Sequence, residues 1–341
     1  MTTTRIVVIG ASAGGIETLR MLVSGLPANF PAAICIVLHT SPQSPGVLPG
    51  ILARAGHLPA VNARDTEPLR PGHIYVAPPD HHLVLEPGRV RVTKGPRENR
   101  FRPAIDPLFR SAAQVYGPAG IGVVLTGNLD DGTAGLWAIK RLGGTAIVQD
   151  PDDALFPSMP LSAVNHVEVD HVVPLADIAP LLVRLTATSR TDEGALTVPD
   201  EMDVEIRIAK EENPIEAGLE QIAQPSRFAC PECHGVLLKV VDGGRVRFRC
   251  HTGHAYSAES LLADIEEATH DALWNAIRAL EESGMLMQHM ASHLDSDAHV
   301  RRAGHDADVA RLRRRAEEAH QQAEAVRALT SGRTPAAPAE G

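Results

Sequence analysis

Short apolar runs rich in Val and Ile alternate with longer amphipathic stretches in the first half of the chain. Runs of this kind predict strands that are buried on both faces of a parallel sheet. They cover residues 5–10, 33–39, 121–126 and 145–149. Between them, residues 16–24 and 133–142 have apolar positions at helical spacing. Strands that alternate with helices predict an α/β fold, with a doubly wound, mostly parallel sheet and right-handed crossovers.

Residues 72–92, GHIYVAPPDHHLVLEPGRVRV, interrupt this rhythm of strand and helix. Their short runs alternate apolar and polar residues, and Pro-Gly stands between two of the runs. These features predict an antiparallel β-hairpin that is appended to the parallel sheet.

Beyond residue 185 the pattern of apolar positions changes several times. A polar and acidic stretch with little periodicity comes first and predicts a linker. Further on, Trp274 and Leu280 lie on the apolar face of a predicted helix, which we interpret as a packing or self-association surface. We therefore divide the chain into a first domain, a linker, a small module, a helical region and a disordered tail, with the bounds 1–185, 186–226, 227–257, 258–330 and 331–341.

Composition narrows the class of protein and its partners. The sequence is 44% hydrophobic and 22% charged, which is ordinary for a globular protein. A formal net charge of −10 argues against a nucleic-acid binder, whose affinity would depend on Lys and Arg side chains that neutralise phosphates. The sequence contains no run of about 18 apolar residues, so we expect no membrane insertion. Because the N-terminus also lacks the pattern of a signal peptide, we expect a cytoplasmic protein.

A glycine-rich segment, GASAGG at residues 10–15, follows the first predicted strand and precedes a predicted helix. One interpretation is a dinucleotide-binding turn, but Ser12 stands where the second glycine of that motif would let the pyrophosphate approach. The next strand also ends in His39 rather than in an acidic residue that would bind the ribose. The other interpretation is a nucleophile turn of the form G-x-S-x-G, which exposes the Ser12 hydroxyl beside a helix N-terminus. The residues favour the nucleophile turn.

His39 and a pair of carboxylates extend this candidate site. The carboxyl ends of strands in an open α/β sheet line one crevice, so His39 is placed to act as the general base for Ser12 or else caps the loop that follows it. The segment LTGNLDDG, residues 125–132, also follows a predicted buried strand. Asp130 or Asp131 could orient the histidine, bind Mg²⁺ or cap the next helix, and the spacing does not choose between them.

These segments and three others resemble the catalytic domain of the bacterial chemotaxis protein-glutamate methylesterases (CheB-type). The further motifs are IYVAP, RPAIDPLF and SMP, at residues 74–78, 102–109 and 158–160. Together the six motifs cover roughly residues 5–182 in the family's order. The resemblance implies that Ser12 is the nucleophile, His39 the base and Asp131 the carboxylate that orients His39. Asp131 is preferred because the family's acid directly precedes a glycine, here Gly132.

The resemblance also implies an activity and its partners. The family hydrolyses glutamyl methyl esters on chemoreceptor-like signalling proteins, releases methanol, and also deamidates glutamine, with no cofactor for catalysis. A methyltransferase or a histidine kinase is an expected partner. Ala13 and Asn128-Leu129 replace commoner residues near the family's oxyanion site. Because the first domain begins almost at Met1, we also expect no receiver domain of the kind that the resemblance would place before it. A catalytically weak signalling module that binds receptors or a partner kinase is therefore the alternative.

Three of the four cysteines are clustered in the small module. CPEC at residues 230–233 and CHTGH at residues 250–254 stand at the two ends of a predicted hairpin, which is typical of a zinc ribbon. His254 is preferred to His251 as the fourth ligand because it leaves a small turn through Gly253. The alternative is a hairpin with reduced cysteines and no metal. The predicted ligands of a structural zinc ion are Cys230, Cys233, Cys250 and His254.

Overall fold

The computed structural model describes residues 2–3, 5–187, 190–191, 197–242, 245–296 and 305–330. The chain forms two compact units, of which the first ends at Leu261 and the second begins at Leu262. Within the described ranges, no helix combines the length and the apolar character that crossing a membrane would require.

The first unit contains the strands and the shorter helices, and the two long helices come last. The strands are β1 (Thr2–Thr3), β2 (Ile6–Ala11), β3 (Ala33–Leu38), β4 (Ala60–Asn62), β5 (Ile74–Val76), β6 (His82–Glu86), β7 (Arg89–Thr93), β8 (Gly120–Val124), β9 (Thr145–Gln149), β10 (His171–Val173), β11 (Arg190–Thr191), β12 (Ala223–Ala229), β13 (Val236–Asp242), β14 (Arg245–Cys250) and β15 (Ala255–Ser257). The helices are α1 (Gly15–Ser24), α2 (Leu48–Ala55), α3 (Ile105–Tyr116), α4 (Thr133–Arg141), α5 (Ser158–His166), α6 (Leu175–Ala187), α7 (Asp200–Ala209), α8 (Leu219–Ile222), α9 (Ala258–Ser296) and α10 (His305–Thr330).

A seven-stranded parallel sheet in the order β10-β9-β8-β2-β3-β5-β4 forms the centre of the first unit. Strands β2, β3, β8 and β9 are buried along their whole length, as their uninterrupted apolar sequences require. Successive side chains point to opposite faces, so Ile6 and Val8 join one hydrophobic cluster while Val7 and Ile9 join the other. The predicted α/β fold with a mostly parallel central sheet is confirmed.

The order of the strands reverses at β2, which pairs with β3 on one side and with β8 on the other. The loops that follow these strands therefore diverge and leave a crevice at the carboxyl ends of the sheet, where α/β proteins bind their ligands. Ser12, His39 and residues 125–132 follow β2, β3 and β8 respectively. The fold thus brings the three predicted segments to one place.

Residues 72–92 divide between two sheets. Strand β5 lies between β3 and β4 in the parallel sheet, whereas β6 and β7 pair with each other in an antiparallel arrangement. Assigning residues 74–76 to a hairpin is therefore wrong. Pro78 and Pro79 separate β5 from β6, because proline cannot continue a ladder of hydrogen bonds.

Residues 197–226 are not the linker that their polarity predicts. Helix α7 lies in this segment and buries Met202, Ile206 and Ile208. Glu205 on the same helix is also buried, at 2% exposure, so an acidic residue occupies a core position and obscures the periodicity. Residues 192–196 of the predicted linker lie outside the described residues.

Strands β12 to β15 form a second, antiparallel sheet in chain order, here named the C-terminal sheet. Val240 of this sheet packs with Val204 and Ile208 of α7. The C-terminal sheet therefore belongs to the same compact unit as the parallel sheet. Its own small core consists of Cys230, Leu237, Phe248, Cys250, Tyr256 and Leu261.

The second unit is made of α9, from Leu262 onward, and α10. Ion pairs join Arg313 to Asp295, at 2.6 Å, and Arg327 to Glu281. Trp274 is 47% exposed, and a self-association surface around it stays a prediction. The predicted disordered tail, residues 331–341, lies outside the described residues.

Candidate active site

Ser12 lies in the turn between β2 and α1. Its backbone N–H donates to the carbonyl oxygen of Thr126 at 3.0 Å, which joins this turn to the loop after β8. Gly14 caps α1 with a φ of 73°, a left-handed conformation that glycine adopts without strain. The turn places Ser12 just before the N-terminus of α1, where backbone N–H groups and the helix dipole favour negative charge.

The loop after β8 closes tightly over the Ser12 turn. The Thr126 hydroxyl donates to the carbonyl oxygen of Ala13 at 3.1 Å and accepts the N–H of Phe156 at 2.9 Å. A Cβ atom at Gly127 would lie 2.7 Å from the Cβ of Ser12 and closer still to the sulfur of Met159. Glycine at position 127 is therefore what allows the two loops to approach.

His39 forms a chain of hydrogen bonds with Ser12 and Asp131. Its Nδ1 lies 3.0 Å from the Oγ of Ser12, and its Nε2 lies 2.7 Å from the Oδ2 of Asp131. The ring stacks on Phe101 with 3.7 Å between the ring centroids and 7° between the planes. The side chains of His39 and Asp131 are only 3% and 2% exposed. The three residues predicted as a triad are thus within hydrogen-bonding reach, with the ring held from both ends and from one face.

Asp131 is surrounded by hydrogen-bond donors. Oδ2 accepts the N–H of Ile105 at 2.7 Å in addition to that of His39, while Oδ1 accepts from Asn99 at 2.9 Å and from the N–H of Gly132 at 3.0 Å. Burial alone would raise the pKa of Asp131. The hydrogen bond from His39, the charge of His39 when it is protonated, and the Ile105 and Asn99 donors hold its pKa below the usual value instead. Asp131 is therefore a buried carboxylate that stays ionised.

The neighbouring carboxyl group of Asp130 has a different setting. Its Oδ1 accepts a hydrogen bond from the Ser257 hydroxyl at 2.8 Å. Burial, which this single hydrogen bond offsets in part, raises the pKa of Asp130 to about 7. Of the two acidic residues that the spacing could not separate, the structure brings Asp131 and not Asp130 to His39.

Sequence reasoning missed several residues that surround Asp131. Asn99 and Asp106 are 2% and 1% exposed, and Phe101 covers the ring of His39. Burial and the nearby charge of Asp131 raise the pKa of Asp106 to about 6. The sequence signal for Asn99 is the polar stretch Arg97-Glu98-Asn99, and the signal for Asp106 is its place in the motif at residues 102–109.

The four predicted metal ligands also meet, at one end of the C-terminal sheet. The Sγ atoms of Cys233 and Cys250 are 3.6 Å apart, and Nδ1 of His254 lies 3.7 Å from Cys230 Sγ and 3.6 Å from Cys250 Sγ. A tetrahedral ion with bonds of about 2.3 Å to sulfur and about 2.0 Å to nitrogen holds its ligands about 3.5–3.8 Å apart. All four ligand atoms lie within 4.8 Å of one another, so their spacing fits such an ion.

Glu232 supports the choice of His254 over His251. Its Oε2 lies 3.3 Å from the Nε2 of His254, which leaves Nδ1 facing the three sulfur atoms. A carboxylate behind a metal-binding histidine fixes the tautomer and the orientation of the ring in many metal sites. His251 is exposed and does not belong to the group.

Known proteins resemble the first half of the chain. A protein of Anaeromyxobacter dehalogenans, named protein-glutamate methylesterase/protein-glutamine glutaminase, is 41% identical over 181 residues, and the match covers 53% of each chain. A protein of Thermotoga maritima with the same name is 37% identical, over 53% of this chain and 54% of its own. A protein of Leptospira interrogans is 42% identical over 180 residues, which are 52% of this chain but 93% of the relative. The match thus spans about half the length of the first two relatives.

The crystal structure of the Thermotoga maritima CheB methylesterase catalytic domain has the same fold. Its TM-score is 0.52 at 37% sequence identity, and the match covers 54% of this chain and 99% of that domain. The family model for CheB methylesterase, a family of carboxylic ester hydrolases, matches residues 7–182. Since these residues make up more than half of the 341 in the chain, the chain belongs to the CheB methylesterase family.

Proposed function

We propose that the chain is a protein-glutamate methylesterase that hydrolyses glutamyl methyl esters on chemoreceptor-like signalling proteins. The observation that carries the proposal is the hydrogen-bonded chain Ser12–His39–Asp131 in a member of this family. A Ser-His-Asp chain of this kind is a recurrent device for acyl transfer. The proposal assigns Ser12 as the nucleophile, His39 as the general base and Asp131 as the carboxylate that orients the base.

The protonation of the triad follows from its geometry. Because Asp131 stays ionised and lies 2.7 Å from Nε2 of His39, the Nε2–H donates to it. The neutral ring then carries no proton on Nδ1, which accepts the hydrogen bond of the Ser12 hydroxyl at 3.0 Å. Asp131 thus fixes the tautomer that allows His39 to take the proton of Ser12.

Hydrolysis proceeds in two steps. Ser12 Oγ attacks the ester carbonyl while His39 takes its proton, and the C–O bond to the methoxy group breaks as His39 returns the proton to release methanol. Water then attacks the acyl-serine with His39 as base, which frees the glutamate side chain and Ser12. The proposal assigns the stabilisation of the oxyanion in both steps to backbone N–H groups at the N-terminus of α1, which follows Ser12 in the chain. Ala13 changes a side chain in this turn and leaves its backbone N–H in place.

The same residues support deamidation of glutamine, in which ammonia leaves in place of methanol. Neither reaction needs a cofactor for catalysis. The proposed partners are methylated receptors as substrate and a methyltransferase or histidine kinase of the same signalling system. We propose the cytoplasm as the compartment, because the described cysteines form no disulfide bond.

Methanol release from a methyl-esterified receptor fragment tests the proposed activity. The purified full chain is expected to release methanol and to convert the ester to glutamate, as measured by the mass of the fragment. The unmethylated fragment is the control and should release none. If a folded preparation released no methanol from any of several receptor fragments, the activity would be refuted and the weak signalling module would take its place.

We further propose that the C-terminal sheet is a zinc ribbon and that β6 and β7 form the hairpin appended to the sheet. The spacing of Cys230, Cys233, Cys250 and His254 supports the zinc site. A structural zinc ion would crosslink the turn before β13 to the turn after β14, in a sheet whose own hydrophobic core is small.

Freshly purified protein is expected to contain about one zinc ion per chain. Cys233→Ser should lose most of this zinc and lower the temperature of unfolding, since the remaining ligands no longer close the site. Atomic emission and a melting curve measure the two effects. Cys35→Ala is the matched control, because Cys35 is a free thiol inside the parallel sheet, and it should keep its zinc. Wild-type protein with far less than one zinc per chain would end the metal proposal.

A further inference from the structure

Asn99 is the side chain that holds the triad carboxylate from the end opposite His39. Its Nδ2 donates to Oδ1 of Asp131 at 2.9 Å, while His39 occupies Oδ2. The second hydrogen on Nδ2 goes to Oδ2 of Asp106 at 3.0 Å. The amide therefore bridges two buried carboxylates, as the backbone N–H of Gly132 also does, at 3.0 Å from Asp131 and 3.1 Å from Asp106.

The oxygen of the Asn99 amide is held by the C-terminal sheet and the start of α9. It accepts the backbone N–H of Ser257 at 3.0 Å and the hydroxyl of Ser260 at 3.3 Å. A carboxylate can only accept and a backbone N–H can only donate, so the amide has one possible orientation. The N–H of Ser257 thus determines that Asn99 presents its NH₂ group to Asp131.

Strand β15 also fixes the backbone of Asn99. The N–H of Asn99 donates to the carbonyl oxygen of Ala255 at 2.8 Å, and the N–H of Ala255 donates to that of Arg97 at 3.0 Å. Asn99 has a φ of 49°, in the left-handed region, which asparagine tolerates better than most residues. These hydrogen bonds keep it in a conformation that an isolated loop would populate rarely.

Buried ion pairs fasten the two parts together beside Asn99. Arg249 of β14 lies 2.9 Å from Glu98 and 3.2 Å from Glu205, and Arg247 lies 2.5 Å from Glu205. The side chains of all four residues are 1–4% exposed. A carboxylate at this depth needs its partner, because water cannot reach it. Glu98 is therefore held against β14, and the residue after it is Asn99.

A further contact reaches the loop that carries Asp131. The hydroxyl of Ser257 donates to Oδ1 of Asp130 at 2.8 Å. In addition, a guanidinium nitrogen of Arg245 donates to the carbonyl oxygen of Thr133 at 3.1 Å. The C-terminal sheet thus touches the residues on both sides of Asp131 as well as its side-chain partner.

We infer that Asn99 is a positioning residue for Asp131 and that the C-terminal sheet acts as part of the active site by holding Asn99 in place. The inference rests on the proposed esterase function. Without the amide, Oδ1 of Asp131 loses its only side-chain donor among the described residues and keeps the backbone N–H groups of Gly132 and Asp106. The carboxylate is then held less firmly and can turn away from Nε2 of His39. The imidazole then spends less time in the orientation that accepts the Ser12 proton.

Asn99→Gly tests the first half of the inference, since glycine accepts the positive φ and removes only the amide. We expect kcat for methanol release to fall about 10- to 100-fold, with KM changed by less than about threefold. The Asn99 donor helps to keep the pKa of Asp131 low, and removing it raises that pKa. The carboxylate and His39 together then bind a proton more readily, so the acid limb of the pH–rate profile should move to higher pH. Lys239→Ala, an exposed position on β13, is the control and should keep the wild-type rate and profile.

The double variant Ser257→Ala/Ser260→Ala tests the second half from the side of the sheet. It removes the hydroxyls that contact Asn99 and Asp130 without touching the parallel sheet. We expect a smaller fall in kcat, about 3- to 10-fold, with the same direction of shift in the acid limb.

The outcomes separate the inference from the proposed function. If the wild type itself releases no methanol, the proposed function fails. If the wild type is active and folded Asn99→Gly keeps its kcat and pH profile, the positioning role is refuted. Should Asn99→Gly fail to fold, the serine double variant decides, and a wild-type rate and profile in that variant would overturn the inference.

Discussion

Ser12→Ala is expected to lower kcat for methanol release by roughly 10⁴- to 10⁶-fold, while KM changes little. The substitution removes the oxygen that attacks the ester, and Nδ1 of His39, 3.0 Å away in the wild type, then has no proton to take. The surroundings should not change, because Ser12 is joined to the loop after β8 through its backbone N–H. Steady-state kinetics on a methylated receptor fragment measure both constants.

Ser41→Ala is a matched control for this variant. Ser41 follows His39 by two positions, is exposed, and donates its hydroxyl hydrogen to Gln43 at 2.7 Å. Its loss should change kcat by less than about twofold, as for other surface positions away from the chemistry. A Ser12→Ala protein that kept more than a tenth of the wild-type kcat would show that Ser12 is not the nucleophile.

Asp131→Asn is expected to lower kcat by roughly 10⁴-fold. Five donors face Asp131, from His39, Asn99, Ile105, Asp106 and Gly132. An amide in its place must turn an NH₂ group toward some of them. If that group faces His39, Nε2 has to accept a hydrogen bond from it, and the ring then carries its proton on Nδ1. A protonated Nδ1 can no longer take the proton of Ser12. The same kinetic assay measures the loss.

Asp130→Asn is the control for the neighbouring carboxyl group. It keeps an oxygen to accept the Ser257 hydroxyl and removes a charge that burial already disfavours, since the pKa of Asp130 is raised to about 7. We expect kcat to fall less than about tenfold, because Asp130 has no contact with His39 that fixes its tautomer. Equal losses in the two variants would contradict the assignment of Asp131 as the orienting carboxylate.

The sequence patterns brought Ser12, His39 and the pair Asp130-Asp131 together for a local reason, and the structure places Ser12, His39 and Asp131 within hydrogen-bonding distance. Each of them follows a buried apolar strand, and parallel strands that neighbour one another in a sheet end at the same edge. The positions of Ser12 and His39 can therefore be predicted from short apolar runs in the local sequence. The choice of Asp131 over Asp130 depends on one residue of register in a loop, and for that the resemblance to the family was needed.

The support around the triad could not be predicted in the same way. Asn99 and Ser257 are separated by 158 residues, and their contact depends on how the C-terminal sheet meets the first half of the chain. Glu205 hides the apolar pattern of helix α7 because it is a charged residue at a buried position. It can be buried there because Arg247 and Arg249 of β14 neutralise its charge, and the local sequence does not show these partners. A polar residue at a core position interrupts the apolar periodicity on which strand and helix predictions depend.

The most direct test of the proposed mechanism measures methanol release in one experiment by the wild type, by Ser12→Ala, by Asp131→Asn and by the triad double variant Ser12→Ala/Asp131→Asn. Residues of a triad act as a unit, so kcat of the triad double variant should lie within about threefold of kcat for Ser12→Ala. The residual catalysis of roughly 10³-fold over water that such variants keep leaves room to see a further loss. If the wild type released no methanol, or if the two losses multiplied in the double variant, the proposed Ser12–His39–Asp131 mechanism would be contradicted.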